Sequence, residues 1–416
     1  MEEHKIERAV LAGLAANCFT KEQQATENSL DELEALLQTA GGTCVAKVLQ
    51  TRPAPDPHSF VGQGKAEEIR DLAHNLEADM VVFDNELSPS QIRALEDVTG
   101  CTVLDRSALI LDIFAQRAQT AEGRLQVELA QYRYLLPKLS GMGKSMSRLG
   151  GGIGTRGPGE TKLETDRRHI RTRIDRLQAE LAQVRKLRAV ERKRRMKNEI
   201  PVVAIVGYTN AGKSTLLNLL TQADIPANDR LFDTLDTTTR QWEVTDHLSV
   251  LLSDTVGFIA KLPHHLVEAF KATLEELEYA DLLLHVIDAA DPDRDDEIAV
   301  VDKLIGELAR PETPVLRVYN KCDLADVSDL PHGERTVAIS AKTGAGIAEL
   351  RAAIEKELSR RIRHAVFCLP YSMGGQVERL HDQADVQRVD YTAEGIEIEV
   401  NCDEAIYGSL QRYEVT

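Results

Sequence analysis

Aromatic residues are scarce in this 416-residue chain, at 4% with a single tryptophan. So few ring faces argue against a protein that holds single-stranded nucleic acid mainly by stacking bases. No run of about 18 apolar residues occurs, so a membrane-spanning helix is not expected. The opening MEEHKIERAV lacks the basic-then-apolar order of a secretory leader. The six cysteines (Cys18, Cys44, Cys101, Cys322, Cys368, Cys402) show no C-x-x-C spacing, so neither a zinc site nor a disulfide framework is indicated. Reduced thiols in a cytoplasmic, soluble protein, at most peripheral to a membrane, are the expectation, and a monomer with them.

Positive charge is also in short supply, with 50 Lys/Arg against 67 Asp/Glu and a net of −17. That balance ordinarily speaks against a nucleic-acid partner. The deficit is uneven, however: residues 143–201 hold 17 Lys/Arg and 7 Asp/Glu, a net of +10, which leaves −27 on the rest. One basic arm on an acidic body is the pattern of a chain in which a single segment meets an anionic partner.

The length suggests two or three domains. In residues 1–122, RAVLAGLA, CVAKVLQT and MVVFDN read as three strands. Between them SLDELEALLQTA and GKAEEIRDLAHNL have helical apolar spacing, so a small parallel α/β sheet is predicted. Asp84 falls at its carboxyl edge, where ligands often bind, although an aspartate satisfied by its neighbours is the commoner case. Over 123–200, Leu125, Leu129, Tyr132, Leu136 and Leu139, then Ile170, Ile174, Leu177, Leu181 and Val184, recur at spacings of three and four. Two such seams predict an antiparallel helical hairpin of coiled-coil type, its first helix kinked or ended by Pro137 and its second starting at Glu160 or later.

The hairpin tip reads GGGIGTRGPGETK (150–162), with a G-x-G-x-x-G inside it. It follows a helix instead of a strand, so the dinucleotide reading is set aside. Glycines there suit close approach to a folded RNA, with Arg148, Arg156 and Lys162 for phosphates; a plain flexible linker is the alternative. Residues 201–362 read as a second α/β unit and 363–416 as a small α+β module, from AVFCLP, GIEIEVNC and a helical SMGGQVERLHDQ.

The second unit holds the chemistry. GYTNAGKS follows an apolar strand and opens a helix, the context that G-x-x-x-x-G-K-[ST] requires. Gly207 and Gly212 let the backbone curl around α- and β-phosphates, Lys213 brings a charge to the β/γ oxygens, and Ser214 offers a hydroxyl to Mg²⁺. In DTVG, Asp254 can reach the Mg²⁺ shell through water and Gly257 can turn its N–H to the γ-phosphate. In NKCD, Asp323 can accept from guanine N1–H and the 2-amino group, a pairing adenine cannot return, while the stem of Lys321 lies along the base. SAK (Ser340 to Lys342) offers backbone N–H to guanine O6. These elements in this order are the signature of a translation-factor-type GTPase, with GTP as substrate and Mg²⁺ as cofactor.

Between them lies LFDTLDTTTR, a loop of the kind that orders around Mg²⁺ and the γ-phosphate. Thr234 is the preferred ligand, with Thr237, Thr238 and Thr239 as rivals. Phe258 stands where many GTPases place the glutamine that orients the attacking water, so slow intrinsic hydrolysis is predicted. Asn210 stands where some GTPases coordinate K⁺; bracing the loop is an equal alternative.

The chain resembles the HflX family of GTPases. VGQGKAEEI, ALILDIFAQRAQTAEGRLQVELAQYRYLLPKL, GGGIGTRGPGETKLETDRR and GYTNAGKSTLLNLL are all similar to its signature stretches, over roughly residues 5–360. The resemblance implies an N-terminal domain with a helical hairpin, a P-loop GTPase domain, and binding to the large ribosomal subunit, where hydrolysis is stimulated. It also implies action on stalled or idle ribosomes under stress. The phosphate loop carried over is Gly207, Tyr208, Thr209, Asn210, Ala211, Gly212, Lys213, Ser214 and Thr215. The first mobile segment is Phe232, Asp233, Thr234, Leu235 and Asp236, followed by Asp254, Thr255, Val256 and Gly257. Asn320, Lys321, Cys322 and Asp323, with Ser340 and Ala341, take the base. Lys213, Thr234 and Gly257 are the residues expected to act in the reaction, and Ser214 and Thr234 to bind the metal. Asp233 departs from the pattern, where a small residue such as alanine is usual. Two readings of the basic arm remain: contact with ribosomal RNA, or a GTP-switched adaptor whose hairpin grips a protein. A third reading, a small-molecule kinase, leaves NKCD and SAK unexplained.

Overall fold

The computed structural model describes residues 6–20, 23–139, 158–196, 200–221, 231–232, 239–245, 248–255, 257–261, 277–359 and 362–415. The first sheet is parallel, in the order β2-β1-β3-β4, from β1 (Arg8–Ala16), β2 (Thr43–Arg52), β3 (Met80–Phe83) and β4 (Thr102–Asp105). Helices α1 (Glu27–Ala40), α2 (Gln63–Asn75), α3 (Pro89–Thr99) and α4 (Arg106–Arg117) cross between the strands or follow them. Sequence reading expected three strands. The fourth, TVLD, is too short for alternation to emerge from it.

Local chemistry fixes the helix starts at the carboxyl edge of this sheet. Thr26 caps α1 in a reciprocal capping box with Ser29, and Gly41 ends the helix in a left-handed conformation. Asp105 caps α4 by accepting from the Ala108 N–H at 3.0 Å, which sets Arg106 as the first residue of that helix. Asp105 also accepts from Tyr134 Oη (2.6 Å) and Lys138 Nζ (2.9 Å), tying the sheet to the next helix.

That helix, α5 (Ala121–Leu139), pairs with the 39-residue α6 (Pro158–Met196). Leu125, Leu129, Tyr132, Ile174, Leu177 and Leu181 form the seam, and Arg173 grips Glu128 through two hydrogen bonds of 2.8 and 2.9 Å. Of the kink or end expected at Pro137, the described helix shows no end there, since α5 continues through it to Leu139. One expectation needs correction. The second helix begins at Pro158, ahead of Glu160, because the first helical position has no intrahelical use for an N–H. The expected glycine tip, with Arg148 and Arg156, falls in 140–157, outside the described residues.

The second sheet has six strands in the order β10-β9-β8-β5-β7-β6, parallel but for β6. They are β5 (Val202–Gly207), β6 (Thr239–Thr245), β7 (Leu248–Asp254), β8 (Leu282–Asp288), β9 (Val315–Asn320) and β10 (Thr336–Ala338). Helices α7 (Lys213–Thr221), α8 (Arg294–Leu308) and α9 (Ile347–Ser359) flank them. β5, apolar throughout, and β8, apolar but for His285 and the terminal Asp288, are buried on both faces as a central parallel strand must be.

The final segment is an antiparallel sheet, β11-β13-β12, of β11 (Ile362–Leu369), β12 (Asp385–Tyr391) and β13 (Ile396–Asp403). With α10 (Gly374–Gln383) and α11 (Glu404–Leu410) it builds a core of its own around Phe367, Ile398 and Val400. The largest core among the described residues, by contrast, is continuous between the first two sheets. Leu33, Leu36 and Leu37 of α1 and Ile110 and Phe114 of α4 share it with Leu231, Phe232, Phe258 and Ile259. Among the described residues, no helix is long and apolar enough to cross a membrane.

Candidate nucleotide site

Strand β5 ends in Gly207, and the chain passes through Tyr208, Thr209, Asn210, Ala211 and Gly212 before α7 starts at Lys213; Ser214 and Thr215 complete the first turn. Two positions admit only glycine. At Gly207 (φ +155) a Cβ would lie 2.2 Å from the Val286 carbonyl oxygen, and at Gly212 (φ +91) one would lie 2.2 Å from Asn320 Nδ2. Lys213 is buried and its ammonium donates to the Tyr208 carbonyl at 2.6 Å. Burial pushes its pKa down to about 8, opposed by the carboxylates of Asp254 and Glu297. Ser214 Oγ donates to Asp254 Oδ2 at 3.1 Å, so a hydroxyl and a fully buried carboxylate face each other beside the lysine.

The segment after β7 lies directly on this loop. Thr209 N–H donates to the Phe258 carbonyl (2.7 Å) and Phe258 N–H to the Gly207 carbonyl (3.1 Å), a short parallel bridge. A Cβ at Gly257 would lie 3.1 Å from Lys213 Nζ, so only a glycine lets this backbone come so close to the lysine.

Strand β9 delivers the base-side residues. Asn320 is a hub: its Nδ2 donates to the Ala211 carbonyl and its Oδ1 accepts from Ala341 N–H, each at 2.9 Å. Asp323 Oδ1 accepts from Ser340 Oγ at 2.6 Å, and that bond holds its carboxyl below the usual range while leaving it ionised for a ligand. Lys321, with φ +62, pairs with Asp288 at 2.6 Å. Cys322 Sγ bonds the Tyr319 carbonyl, and burial raises its thiol pKa, so it is a packing residue. The structure therefore brings together the phosphate loop, Asp254, Thr255, Gly257, Asn320 to Asp323, Ser340 and Ala341. Phe232 lies against Phe114, with ring centroids 4.7 Å apart at 75°. Asp233, Thr234, Leu235 and Asp236, the rivals Thr237 and Thr238, and Val256 lie outside the described residues; Thr239 opens β6.

One arrangement escaped sequence reading. The Tyr208 hydroxyl accepts from Ala260 N–H at 2.7 Å and donates to Glu32 of α1. Glu32 pairs with Arg106, whose other nitrogen reaches Asp84 at 2.7 Å, and Asp84 pairs with Lys261 and accepts from Ser29 Oγ at 2.8 Å. Asp84 is thus a satisfied aspartate, as the commoner case had it. The chain of contacts runs from the phosphate loop through the first sheet and back to the residue after Ala260. No spacing rule links positions 32, 84, 106, 208 and 261, so nothing in the sequence signals it.

Near it, Glu297 of α8 has its pKa pushed up to about 8, by burial first, then by Asp291, Asp288 and Glu32, against the opposing pull of Lys213. A carboxyl with a raised folded pKa binds its proton more tightly in the native state, so stability falls as pH rises from 4.5 towards 8. Glu297→Gln is therefore expected to stabilise the protein by on the order of 1–3 kcal/mol at pH 8.5 and much less at pH 5. Urea titrations at the two pH values measure the difference, and equal effects at both would refute it.

A curled glycine loop on a buried lysine, a strand-ending aspartate against the first helical hydroxyl and an asparagine hub beside an exposed aspartate define a P-loop GTPase. Three family models match in succession: GTP-binding GTPase N-terminal over 27–115, GTP-binding GTPase Middle Region over 117–195, and 50S ribosome-binding GTPase over 202–321. GTPase HflX of Caldanaerobacter subterraneus subsp. tengcongensis is 49% identical over 95% of this chain and 92% of its own; that of Escherichia coli is 45% identical over 92% and 90%. The crystal structure of SsGBP with GDP aligns at a TM-score of 0.49 and 22% identity, over 85% of this chain and 99% of that one. The chain belongs to the HflX GTPase family.

Proposed function

We propose that this GTPase acts in the cytoplasm on the large ribosomal subunit, reaching its RNA through the basic hairpin of residues 143–200, and that GTP hydrolysis there splits or rescues stalled or idle ribosomes. The description of the matched family over 202–321 and the +10 charge on 143–201 support this reading.

In this reading Lys213 neutralises the β/γ oxygens, Gly257 turns its N–H to the γ-phosphate, and Asp323 with Ser340 and Ala341 selects guanine. Mg²⁺ would be held by Ser214 and Thr234, with Asp254 next to the ion's water shell. The residues fit such an ion: Ser214 Oγ and Asp254 Oδ2 are hard oxygen donors 3.1 Å apart. The ion would neutralise charge on the transferring phosphate. Asn210, exposed in a left-handed conformation at the tip of the loop, is the residue that would meet K⁺.

The observation that carries the proposal is the concentration of basic charge in one arm of an acidic protein. Hydrolysis is expected to accelerate on addition of large subunits and binding to fall steeply with salt, because each neutralised phosphate releases a counterion. Reversing the eight basic charges between Arg185 and Lys197 should abolish both. Unstimulated hydrolysis, or binding indifferent to salt, would favour an adaptor that grips a protein.

A further inference from the structure

The backbone that follows Gly257 is tied to the phosphate loop by three hydrogen bonds. Two are between main chains: Phe258 N–H donates to the Gly207 carbonyl at 3.1 Å, and the Phe258 carbonyl accepts from Thr209 N–H at 2.7 Å. The third runs through a side chain, with Ala260 N–H donating to the Tyr208 hydroxyl at 2.7 Å. Tyr208 belongs to the phosphate loop, yet its ring is buried in the core that joins the two sheets, and its hydroxyl donates to Glu32 of α1. Glu32 in turn pairs with Arg106. These partners give the hydroxyl one direction: its proton goes to a carboxylate, which leaves an oxygen lone pair for Ala260 N–H. In a buried chain of this kind each hydrogen bond polarises the next. Burial and then the charge of Glu32 push the phenol pKa up, so the hydroxyl keeps the proton that the arrangement needs. Lys261, the next residue, stands in a left-handed conformation (φ +57) and pairs with Asp84. The first sheet and its helices thus hold this segment at two adjacent residues.

We propose that the Tyr208 hydroxyl and Glu32 are positioning groups that favour GTP over GDP, holding the 257–261 segment against the phosphate loop through Ala260 N–H. The proposal rests on the reading that Gly257 N–H meets the γ-phosphate. A Cβ on Gly257 would stand 3.1 Å from Lys213 Nζ, so the segment is held close to the lysine given to the β/γ oxygens. Backbone fixed in advance loses less conformational entropy when it engages a ligand. GDP has no γ-phosphate and gains nothing from that order. Both side chains therefore act on selectivity through the main chain between Gly257 and Ala260, and one of them, Glu32, comes from outside the GTPase unit.

The test measures affinities for GDP and for a non-hydrolysable GTP analogue, both with Mg²⁺, in the full chain carrying Tyr208→Phe, Glu32→Gln or the two together. Tyr208→Phe keeps the ring and removes the hydroxyl. It is expected to lower affinity for the GTP analogue about threefold to tenfold, the scale of one hydrogen bond. Affinity for GDP should stay within about twofold, which also reports that the variant is folded. Glu32→Gln should lose part of the same selectivity, because an amide oxygen is a weaker acceptor than a carboxylate. The double variant should lose no more than Tyr208→Phe alone. Unchanged or improved selectivity in Tyr208→Phe would overturn the proposal, as would equal losses for both nucleotides, the mark of a purely structural role. A double variant whose loss is the product of the two single losses would overturn the part given to Glu32. Gly257→Ala separates the proposal from the reading beneath it. Unchanged selectivity there would overturn both, whereas selectivity lost there and kept in Tyr208→Phe would overturn the assignment of Tyr208 alone.

Discussion

Gly212→Ala should cost about thirtyfold to a hundredfold in nucleotide affinity while leaving a folded protein. The residue sits at φ +91, where an alanine is strained by roughly 1–2 kcal/mol. Its new methyl would lie 2.2 Å from Asn320 Nδ2, which cannot yield without giving up its hydrogen bond to the Ala211 carbonyl at 2.9 Å. Losing that bond adds about 1 kcal/mol, and about 1.4 kcal/mol corresponds to each factor of ten in affinity. Both halves of the proposed pocket suffer, since Asn320 also orients Ala341. Calorimetric titration with GDP measures the loss, with GTP as the second ligand. An affinity within fivefold of the parent would contradict the role given to the curl of the loop.

Arg106→Met is expected to be among the most destabilising single changes outside the hydrophobic cores. The guanidinium is 2% exposed and stands between Glu32 and Asp84, both of which lose a partner when it goes. Asp84 keeps Lys261, but among the described residues Glu32 is left with only the Tyr208 hydroxyl. Removing one member of such a buried set typically costs about 3–5 kcal/mol, because the remaining charge stays desolvated. Met keeps the apolar stem, so packing alone does not account for the loss. Urea unfolding of Arg106→Met against Arg106→Met with Glu32→Gln tests the cause: the second change should restore part of the stability. If the double variant is no better than the single, the cost lies elsewhere than in stranded charge.

The two α/β units differ in how openly the sequence declared them. GYTNAGKS, DTVG, NKCD and SAK each end or follow an apolar run, and the strand-loop-helix context was readable because parallel central strands such as β5 and β8 are predominantly apolar. Short β4 went unseen, since four residues hold too little periodicity to separate a strand from a loop. The start of the second helix, expected at Glu160 or later, came two residues early at Pro158, a first-turn position at which the missing N–H of proline matters little. The ion-pair chain from Glu32 to Lys261 could not be read at all. Its members come from five separate segments and acquire meaning only when folding desolvates them together. Thr209 was visible as part of the loop, but only burial shows that its hydroxyl lacks a partner.

Asn320 joins two recognition tasks in one side chain, with one hydrogen bond to the phosphate loop and one to the residue after Ser340. Thermodynamic reciprocity then applies: whatever a seated guanine adds to the grip on the phosphates, seated phosphates add to the grip on guanine. If Asp323 reads guanine as proposed, an adenine nucleotide loses on both counts, because the base that fails there leaves Asn320 to hold the phosphate loop without that reinforcement. Selectivity in such a pocket is a cooperative property of the filled site, and fragments such as guanosine or pyrophosphate would each bind with only part of it.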